Sequence, residues 1–440
     1  MDSAVGLATE NPVDSIEGKV VAIIHPAWHS CGSYQVFRAQ SLAYQAMGAR
    51  VAAIAVGTTL DQGSRNKRFW ESYYHHTGDL VVDWRAHTGP SRYSLIFDSE
   101  RRRIARELIE ADYARQMAGL ADLSPVPPLV DQLGQIDLIH CNHYFNMPLA
   151  MRLKQQFNAP VLLETHDVQS RQYQLRDAKS LFRKRHDNFG TMLQSELQFV
   201  EQADWLAHIN IEESEFFKQK LPEMRHTLLY PAMFDETSED EDHAGYFLIV
   251  ASGNYPNYES VAWFLRRVLP LCAGVKVKII GNIDYEVKTR QPSLYECHKA
   301  KFLGRVDNLA WFYDNALAVL LPTRSGHGLS IKTIEAMATG APLIGTSLAF
   351  RGMDIDFNSI SNITLADTEE GFAALINAAR TKALEETIVE GDEKVAKLKL
   401  VKKARSSADS RQLAKRLFSF QSYLEKLSYI AGQLVTQRAS

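Results

Sequence analysis

Residues 325–347 read SGHGLSIKTIEAMATGAPLIGTS and come directly after a short apolar run. Gly326 and Gly328 allow a tight turn that brings the backbone close to a ligand. The spacing of apolar residues then predicts a helix over about 329–339, with Gly340 as its C-cap. A strand, a glycine loop and a helix in this order predict an α/β fold whose helix start binds an anion.

The loop and the first turns of this helix carry the groups of a nucleotide site. The amides of Gly328, Leu329 and Ser330 would point at the mouth of the loop, where a diphosphate fits. Lys332 lies within reach of the same anion, and Glu335 shares its helix face. A carboxylate there can accept hydrogen bonds from ribose hydroxyls. The alternative is an ordinary helix with an internal Lys–Glu pair, and spacing alone does not decide between the two.

Strands and helices alternate along the rest of the chain. The segments GKVVAIIH and ARVAAIAVG, with a helical stretch between them, form a βαβ unit and imply a parallel sheet. The segment YFLIVAS starts a second set of the same kind after the acidic run DETSEDEDHAG. We therefore expect an α/β protein with two Rossmann-like doubly wound domains that face a cleft.

Length, charge and cysteine usage narrow the class of protein. A chain of 440 residues is too long for one ordinary core, and its net charge of -3 argues against a nucleic-acid binder. The 4 cysteines show no C-x-x-C spacing, which favours reduced thiols over a disulfide framework. No signal peptide and no apolar run of about 20 residues is visible. We therefore expect a cytoplasmic protein.

The segments VASGNYPNYESVAWFLRRVLPL and GRVDNLAWFYDNALAVLLPTRSGHGLSIKTIEAMATGAPLIGTSLAFRGM resemble the C-terminal domain of the group 1 (family 4) glycosyltransferases of GT-B fold. The resemblance runs from Phe247 to Met353, and its most specific part is a glutamate followed by A-M-A-x-G-x-P. It implies transfer of a sugar from a nucleotide-diphosphate sugar to an acceptor hydroxyl, with retention of configuration and without a metal or other cofactor.

The resemblance also implies domain boundaries. The expected segments are an N-terminal acceptor-side domain (18–232), an acidic linker (233–245), a nucleotide-sugar-binding domain (246–404) and a C-terminal helix that packs back on the first domain (405–438). The implied partners are a nucleotide sugar and a glycan, lipid-linked or small-molecule acceptor. Surface-polysaccharide assembly is the pathway that the family favours.

Roles in the second domain follow from the same resemblance. Glu335 would bind the ribose of the donor, and Lys332 would neutralise charge on the leaving phosphate. The diphosphate or the sugar would lie against the amides of the glycine-rich turn, those of Gly328, Leu329 and Ser330.

Two places depart from the family pattern. His327 stands where an acidic residue often lies, eight positions before the glutamate, so the contact of the loop from Gly326 onward to the donor sugar is altered. The donor-side segment SGNYPN, which includes Gly253, lacks the Arg and Lys that many members carry there. Lys332 is one candidate to replace them and Arg324 is another. The alternative for Arg324 is a solvated side chain at a strand end.

The N-terminal half offers further candidates. Gly32 and Ser33 hold the place of the first glycine-rich loop of the family, which faces the donor phosphate and the acceptor. His166, just past a buried strand, resembles the histidine that contacts the donor sugar, and we predict that it lines the catalytic site. His25 and His29 are weaker candidates, since polar residues at strand ends are more often structural.

A metal site is not expected. His140, Cys141 and His143 follow one another in IHCNHYFN, but alternation in a strand puts neighbours on opposite faces. No carboxylate or second cluster completes a ligand set. The basic, aromatic segment 170–189 predicts a solvated helix face. Its alternatives are peripheral contact with an anionic membrane or binding of an anionic acceptor.

Two other functions fit the same fold. A catalytically silent nucleotide-sugar-binding subunit would explain His327 and the missing bases. A nucleotide-sugar 2-epimerase would need several acids and bases around the sugar, which the sequence does not show.

Overall fold

The computed structural model describes the chain over residues 16–26, 32–57, 79–85, 126–171, 189–233, 245–272, 274–387 and 404–439. These residues divide into two compact units. The first contains the described residues up to Ile209, Ser214–Pro231 and those from Tyr423 onward. The second contains Asn210–Glu213 and the described residues between Ala232 and Ser422.

Parallel strands form the sheet of the first unit. In chain order they are β1 (Val20–Pro26), β2 (Arg50–Gly57), β3 (Leu80–Arg85), β4 (Leu138–Asn142), β5 (Val161–Glu164), β6 (Trp205–His208) and β7 (His226–Leu228). Their order in the 7-stranded sheet is β3-β2-β1-β4-β5-β6-β7. The helices between them are α1 (Gly32–Ala46), α2 (Pro128–Asp131), α3 (Met147–Phe157), α4 (Phe189–Val200) and α5 (Ile211–Lys220). The strand order reverses between β1 and β4, the kind of switch point at which doubly wound sheets bind ligands.

The second unit repeats this design. Its strands are β8 (Tyr246–Val250), β9 (Val277–Ile280), β10 (Phe302–Gly304), β11 (Ala316–Leu321), β12 (Leu343–Gly345) and β13 (Ile363–Leu365). The 6-stranded sheet has the order β10-β9-β8-β11-β12-β13, so its switch point lies between β8 and β11. The helices are α6 (Tyr255–Trp263), α7 (Ile283–Arg290), α8 (Pro292–His298), α9 (Leu309–Asn315), α10 (Ile331–Thr339), α11 (Glu369–Thr387) and α12 (Asp409–Phe418). The last helix, α13 (Phe420–Ala439), begins in this unit and belongs to the first unit from Tyr423 onward.

Both sheets consist of continuous apolar runs, because strands that are covered on both faces have no polar side. Every residue of β1 is buried, and so are all but the last of β8. Several polar residues in the strands of the first unit are also fully buried. His25, His140, Glu164 and His208 are all 0% exposed. Buried polar groups need partners, so these residues mark where the sheet does more than pack.

The helix of the glycine loop starts later than the sequence predicts. Helix α10 begins at Ile331, two positions after the predicted start, because Ser330 has an extended backbone with φ -88° and ψ 98°. The predicted C-cap, Gly340, is present, with a left-handed φ of 69°. The loop therefore includes Leu329 and Ser330, which leaves more backbone amides outside the helix.

The sequence predicted one long helix at the C-terminal end, but the structure has two helices there. Helix α12 ends at Phe418, and Ser419 is extended and pairs with Met233 in an isolated bridge. The amide of Met233 donates to the Phe418 carbonyl at 2.7 Å. This carbonyl therefore accepts from Met233 at the point where helix α12 ends. Helix α12 packs on α10 in the second unit, and only the residues from Tyr423 onward belong to the first. The part of the chain that packs with the first unit is therefore shorter than predicted.

Some expectations fall on other parts of the chain. Residues 234–244 of the acidic linker, residues 388–403 and most of the basic segment lie outside the described residues. Among the described helices, none combines the length and the apolar character that a membrane crossing needs.

Candidate functional site

The loop between β11 and α10 depends on its two glycines. Gly326 has φ 126° and Gly328 has φ 67°, both in the region that side chains disfavour. A Cβ atom on Gly326 would also lie 3.0 Å from Nη2 of Arg351. Outside the loop, the Ser325 hydroxyl donates to Glu259 of helix α6. The loop is therefore held in one tight conformation.

The amides of this loop are available to a ligand. Within the described residues, the amides of Gly328, Leu329 and Ser330 donate no hydrogen bond, and Ser330 makes no side-chain cap. The first bond of the helix runs from the Thr333 amide to the Ser330 carbonyl at 3.0 Å. All three amide-bearing residues are buried, where an amide without an acceptor is costly. An anion at this helix start would satisfy them.

Lys332 supplies a cation beside these amides. Its Nζ atom donates to Oδ1 of Asn257 at 2.6 Å. Burial, and next the positive charge of Arg351, lower the pKa of Lys332 to about 8, while Glu335 opposes the shift. The ammonium group is therefore mostly charged at neutral pH but close to its titration.

Arg351 places a second cation at the loop. Its Nη2 donates to the His327 carbonyl at 3.1 Å, and its Nη1 donates to the Leu348 carbonyl at 2.9 Å. It lies close enough to Lys332 to affect the pKa of that residue. Two positive charges and three available amides thus surround one small loop, and this combination suits a diphosphate.

Glu335 lies one helical turn after Lys332 and is half-buried. The hydroxyl of Tyr313 lies 3.5 Å from Oε2 of Glu335. Burial, and next the charge of Glu335, raise the pKa of Tyr313 well above its usual value, so this phenol stays protonated and can only donate to the carboxylate.

His166 is the centre of a polar cluster in the first unit. It has φ 60°, which is a strained conformation for a histidine, and it is 2% exposed. Its Nε2 lies 2.8 Å from Oδ1 of Asn142, and its ring stacks on His143 with centroids 4.1 Å apart. Burial lowers the pKa of His166 to about 4, against the raising effect of Glu164. The imidazole is therefore neutral at pH 7.

The buried carboxylate of Glu164 lies close to this histidine, with Oε1 3.9 Å from Nε2 of His166. Oε2 of Glu164 accepts from Nε2 of Gln40 at 3.0 Å and lies 3.3 Å from Nε2 of His140. Nδ1 of His140 lies 3.0 Å from the Tyr44 hydroxyl. The cluster thus links α1, β4 and β5 through side chains, and it fixes the strand ends around His166.

Comparison with known proteins agrees with this geometry. Residues 246–382 match the family of glycosyl transferases group 1. The matched residues lie in the second unit and include the loop between β11 and α10. The expectation of a glycosyltransferase of this group is thereby confirmed. Comparison with curated protein sequences gave no match.

Solved structures extend the likeness to the whole fold. Anabaena HepE in complex with UDP is 15% identical, with a TM-score of 0.60 over 94% of this chain and 100% of that chain. The pneumococcal O-GlcNAc transferase GtfA, in complex with UDP and GlcNAc, is 10% identical, with a TM-score of 0.58 over 95% of this chain and 99% of that chain. A glycosyltransferase from Rickettsia africae is 13% identical, with a TM-score of 0.56 over 95% and 99%. At these identities the likeness shows the fold, and the predicted pair of Rossmann-like domains is confirmed.

Two predicted donor residues of the second unit have other contacts. The guanidinium of Arg324 lies 4.8 Å from the ring centroid of Trp263 and donates to the Asp367 carbonyl at 2.9 Å. The amide of Gly253 donates to Oδ1 of Asn282 at 2.8 Å, and a Cβ there would lie 2.9 Å from the Asn282 carbonyl oxygen. Within the described residues, neither of them is hydrogen-bonded to Lys332, and their roles at the donor stay predictions.

Two residues of the loop site were not predicted from the sequence. Asn257 lies in the segment SGNYPN, where the family often has bases, and its side chain bridges Lys332 to the Ser252 carbonyl. Arg351 comes directly after Phe350 in a segment that was matched to the family but given no role. A cation shortly after β12, at the same sheet edge as the loop, was the signal that could have revealed it.

The other N-terminal candidates divide into groups. Nδ1 of His25 lies 2.7 Å from the Pro26 carbonyl, and burial lowers the pKa of His25 to about 4, so this residue is a packed structural group. Gly32 is the first residue of α1 and Ser33 is half-buried at its start. His29 lies outside the described residues.

The histidines of IHCNHYFN are not arranged as ligands. His143 leaves the strand with φ 62°, so strand alternation does not apply to it. The thiol of Cys141 is buried, and burial raises its pKa. In the part of the chain that the structure describes, no three His, Cys, Asp or Glu residues are placed to hold a metal ion.

Proposed function

We propose that this protein transfers a sugar from a nucleotide-diphosphate sugar to an acceptor hydroxyl. The observation that carries the proposal is the loop at 326–330, where three amides that donate no hydrogen bond lie next to Lys332 and Arg351. The diphosphate would lie there, with its charge balanced by both cations. Glu335 would accept hydrogen bonds from the ribose hydroxyls.

The chemistry follows from this arrangement. The bond between the anomeric carbon and the β-phosphate oxygen breaks, and a bond from the same carbon to the acceptor oxygen forms. The acceptor proton passes to the leaving phosphate, as the family resemblance implies for a retaining transfer. Lys332 and Arg351 stabilise the negative charge that develops on that phosphate, which is the role of preorganised cations in phosphate departure. With two cations in place, we propose that the reaction needs no metal.

The favoured donor is a uridine diphosphate sugar. HepE and GtfA are the structures that support this choice, since both were solved in complex with UDP. The acceptor would be a glycan, a lipid-linked sugar or a small molecule, in keeping with surface-polysaccharide assembly. The residues assigned above contact the diphosphate and the ribose and do not specify the base, so GDP and ADP sugars belong in the same test.

Binding and turnover test the proposal together. Titration calorimetry with UDP, GDP and ADP should show binding of one nucleotide, and donor hydrolysis should follow with one of its sugars. Glu335→Ala should weaken nucleotide binding by about 10- to 150-fold, the range expected for a lost hydrogen bond to a charged group. Glu296→Ala, an exposed carboxylate on α8, is the matched control. Unchanged affinity in Glu335→Ala would overturn the assignment of the ribose site.

One observation favours a second candidate. His327 replaces the acid of the family, and Asn257 occupies the place of its bases, so a silent nucleotide-sugar-binding subunit is the rival. Tight nucleotide binding without hydrolysis or transfer for any donor would support the rival. Hydrolysis of a bound donor that is lost in Lys332→Met would exclude it.

A further inference from the structure

Two buried amides in the first unit fix each other. Nε2 of Gln40 donates to Oδ1 of Asn142 at 2.7 Å, and Nδ2 of Asn142 donates to Oε1 of Gln40 at 2.8 Å. Both side chains are 0% exposed. An isolated pair of this kind could exchange its oxygens and nitrogens, so its direction must come from other contacts.

Both side-chain amides, that of Asn142 and that of Gln40, have such a contact. Nδ2 of Asn142 lies 3.2 Å from the Ile24 carbonyl, which can only accept a hydrogen bond. Nε2 of Gln40 lies 3.0 Å from Oε2 of Glu164, which accepts when ionised. The two anchors agree with each other and with the reciprocal pair. The oxygen of Asn142 is therefore the atom that faces His166.

This direction decides the proton on His166. Oδ1 of Asn142 has only lone pairs to offer, and Nε2 of His166 lies 2.8 Å from it. Nε2 of His166 must donate. A neutral imidazole carries one N–H, so Nδ1 is left with a lone pair and is an acceptor. Within the described residues, Nδ1 of His166 makes no hydrogen bond.

The ring cannot easily turn to change this assignment. His143 stacks on it at 4.1 Å with the ring planes 17° apart, and Phe37 meets it edge-on at 5.6 Å. The left-handed backbone of His166 persists because these contacts and the bond to Asn142 hold it. Protonation, which would turn Nδ1 into a donor, is opposed by burial of the ring.

We propose that Gln40 and Asn142 are positioning residues that hold His166 as a hydrogen-bond acceptor for a sugar hydroxyl. The hydroxyl belongs either to the donor sugar or to the acceptor, and this inference rests on the proposed function. A hydroxyl can donate to Nδ1, whereas hydrogen or fluorine at the same carbon cannot. The network thus selects for a substrate that presents an O–H group to His166.

The tautomer is directly measurable. In full-length protein labelled with [15N]histidine, His166→Asn identifies the signals of His166 among the 14 histidines. Between pH 6 and 8, Nε2 should have the shift of a protonated ring nitrogen and Nδ1 that of an unprotonated one. Gln40→Met should produce a mixture of tautomers. Gln45→Met, on the same helix but half-buried and bonded to Asp79 instead, is the control and should leave the signals unchanged. A proton on Nδ1 in the wild type, or an unchanged tautomer in Gln40→Met, would overturn the inference.

Substrate analogues then separate the source of the hydroxyl. One arm uses deoxy and deoxyfluoro versions of the active donor, and the other uses the same changes in the acceptor. At one position of one substrate, replacing the hydroxyl by hydrogen or by fluorine should lower kcat/KM by about tenfold or more. In His166→Ala, the analogue and the natural substrate should then have similar kcat/KM values. Equal kcat/KM for all analogues would contradict the proposal. If no nucleotide sugar binds, the proposed function fails while the tautomer remains decided by the spectra. If one binds and Nδ1 carries the proton, only this inference fails.

Discussion

The Nζ atom of Lys332 lies 2.6 Å from Oδ1 of Asn257, and this contact holds a titrating ammonium group at the mouth of the loop. The pKa of Lys332 is lowered to about 8, so the group is charged below that pH and neutral above it. Because binding of a diphosphate needs the charge, we expect kcat/KM to fall as the pH rises through about 8. Lys332→Arg keeps the charge and should move the fall to higher pH.

Rates measured from pH 6.5 to 9.5 at low substrate concentration would check this prediction. Lys299→Arg, on the exposed surface after α8, is the matched control and should leave the profile unchanged. A fall at the same pH in Lys332→Arg would show that another group titrates.

Arg351 should contribute to nucleotide affinity. Its guanidinium holds the loop through the His327 carbonyl and adds a charge beside Lys332. We expect Arg351→Met to weaken UDP binding by about tenfold, since a charge-assisted contact is lost. The same change removes a positive neighbour and should move the alkaline fall in kcat/KM to higher pH.

Calorimetric titration with UDP and the pH profile give the two readouts. Arg266→Met, an exposed arginine of the same unit, serves as the control. A loss of affinity with an unchanged pH profile would mean that Arg351 acts on the loop backbone alone.

Gly340 should be the most sensitive glycine of the second unit. It has φ 69°, and a Cβ there would lie 2.0 Å from the Arg405 carbonyl oxygen. Arg405 is itself anchored by its guanidinium to the carbonyls of Asp314 and Ala316, so its backbone cannot easily move. We expect Gly340→Ala to lower the free energy of unfolding by about 3 kcal/mol or more.

Gly304→Ala separates steric overlap from backbone strain. Gly304 has φ 66°, but its nearest Cβ neighbour would be 3.8 Å away. Gly304→Ala should therefore lower the free energy of unfolding only by the cost of the left-handed conformation, about 1–2 kcal/mol. Scanning calorimetry of both variants gives the comparison, and equal losses would contradict the steric argument.

Buried histidines should make the protein sensitive to mild acid. Burial lowers the pKa to about 4 in His25 and His166 and to about 3 in His208, from 6.5. Below pH 6.5 the unfolded chain therefore binds protons that the folded protein does not, and the free energy of unfolding falls. Each group should cost about 2 kcal/mol between pH 7 and pH 5. Urea unfolding at pH 7 and pH 5 should show this loss in the free energy of unfolding. Because His208 is one of the three histidines, His208→Gln should remove about one third of their summed contribution.

Local chemistry made part of the site predictable from sequence. The strand, the loop with Gly326 and Gly328, and the C-cap Gly340 follow from rules that apply within a few residues. The partners of Lys332 do not, because Asn257 lies 75 positions away in the sequence. Likewise, the contact between Gln40 and Asn142 spans 102 positions and depends on the strand order.

The position of the His143 ring could not be predicted from strand alternation. Alternation along β4 assumed that the strand continues through this residue. The chain instead takes a left-handed conformation at His143, which brings its ring onto His166. Such a conformation is uncommon for a residue other than glycine, so no propensity would have predicted it.

The return of α13 to the first unit has a consequence for synthesis on the ribosome. Tyr423 is buried beside Glu164, and Arg438 donates to the Ile136 and Phe157 carbonyls at 2.9 Å. These contacts join residues around β4, α3 and β5 to residues that are translated after the entire second unit. At about 5–20 residues per second, those roughly 200 residues take on the order of 10–40 s. During that time the nascent first unit lacks the helix that closes it, and its uncovered surface is open to chaperones.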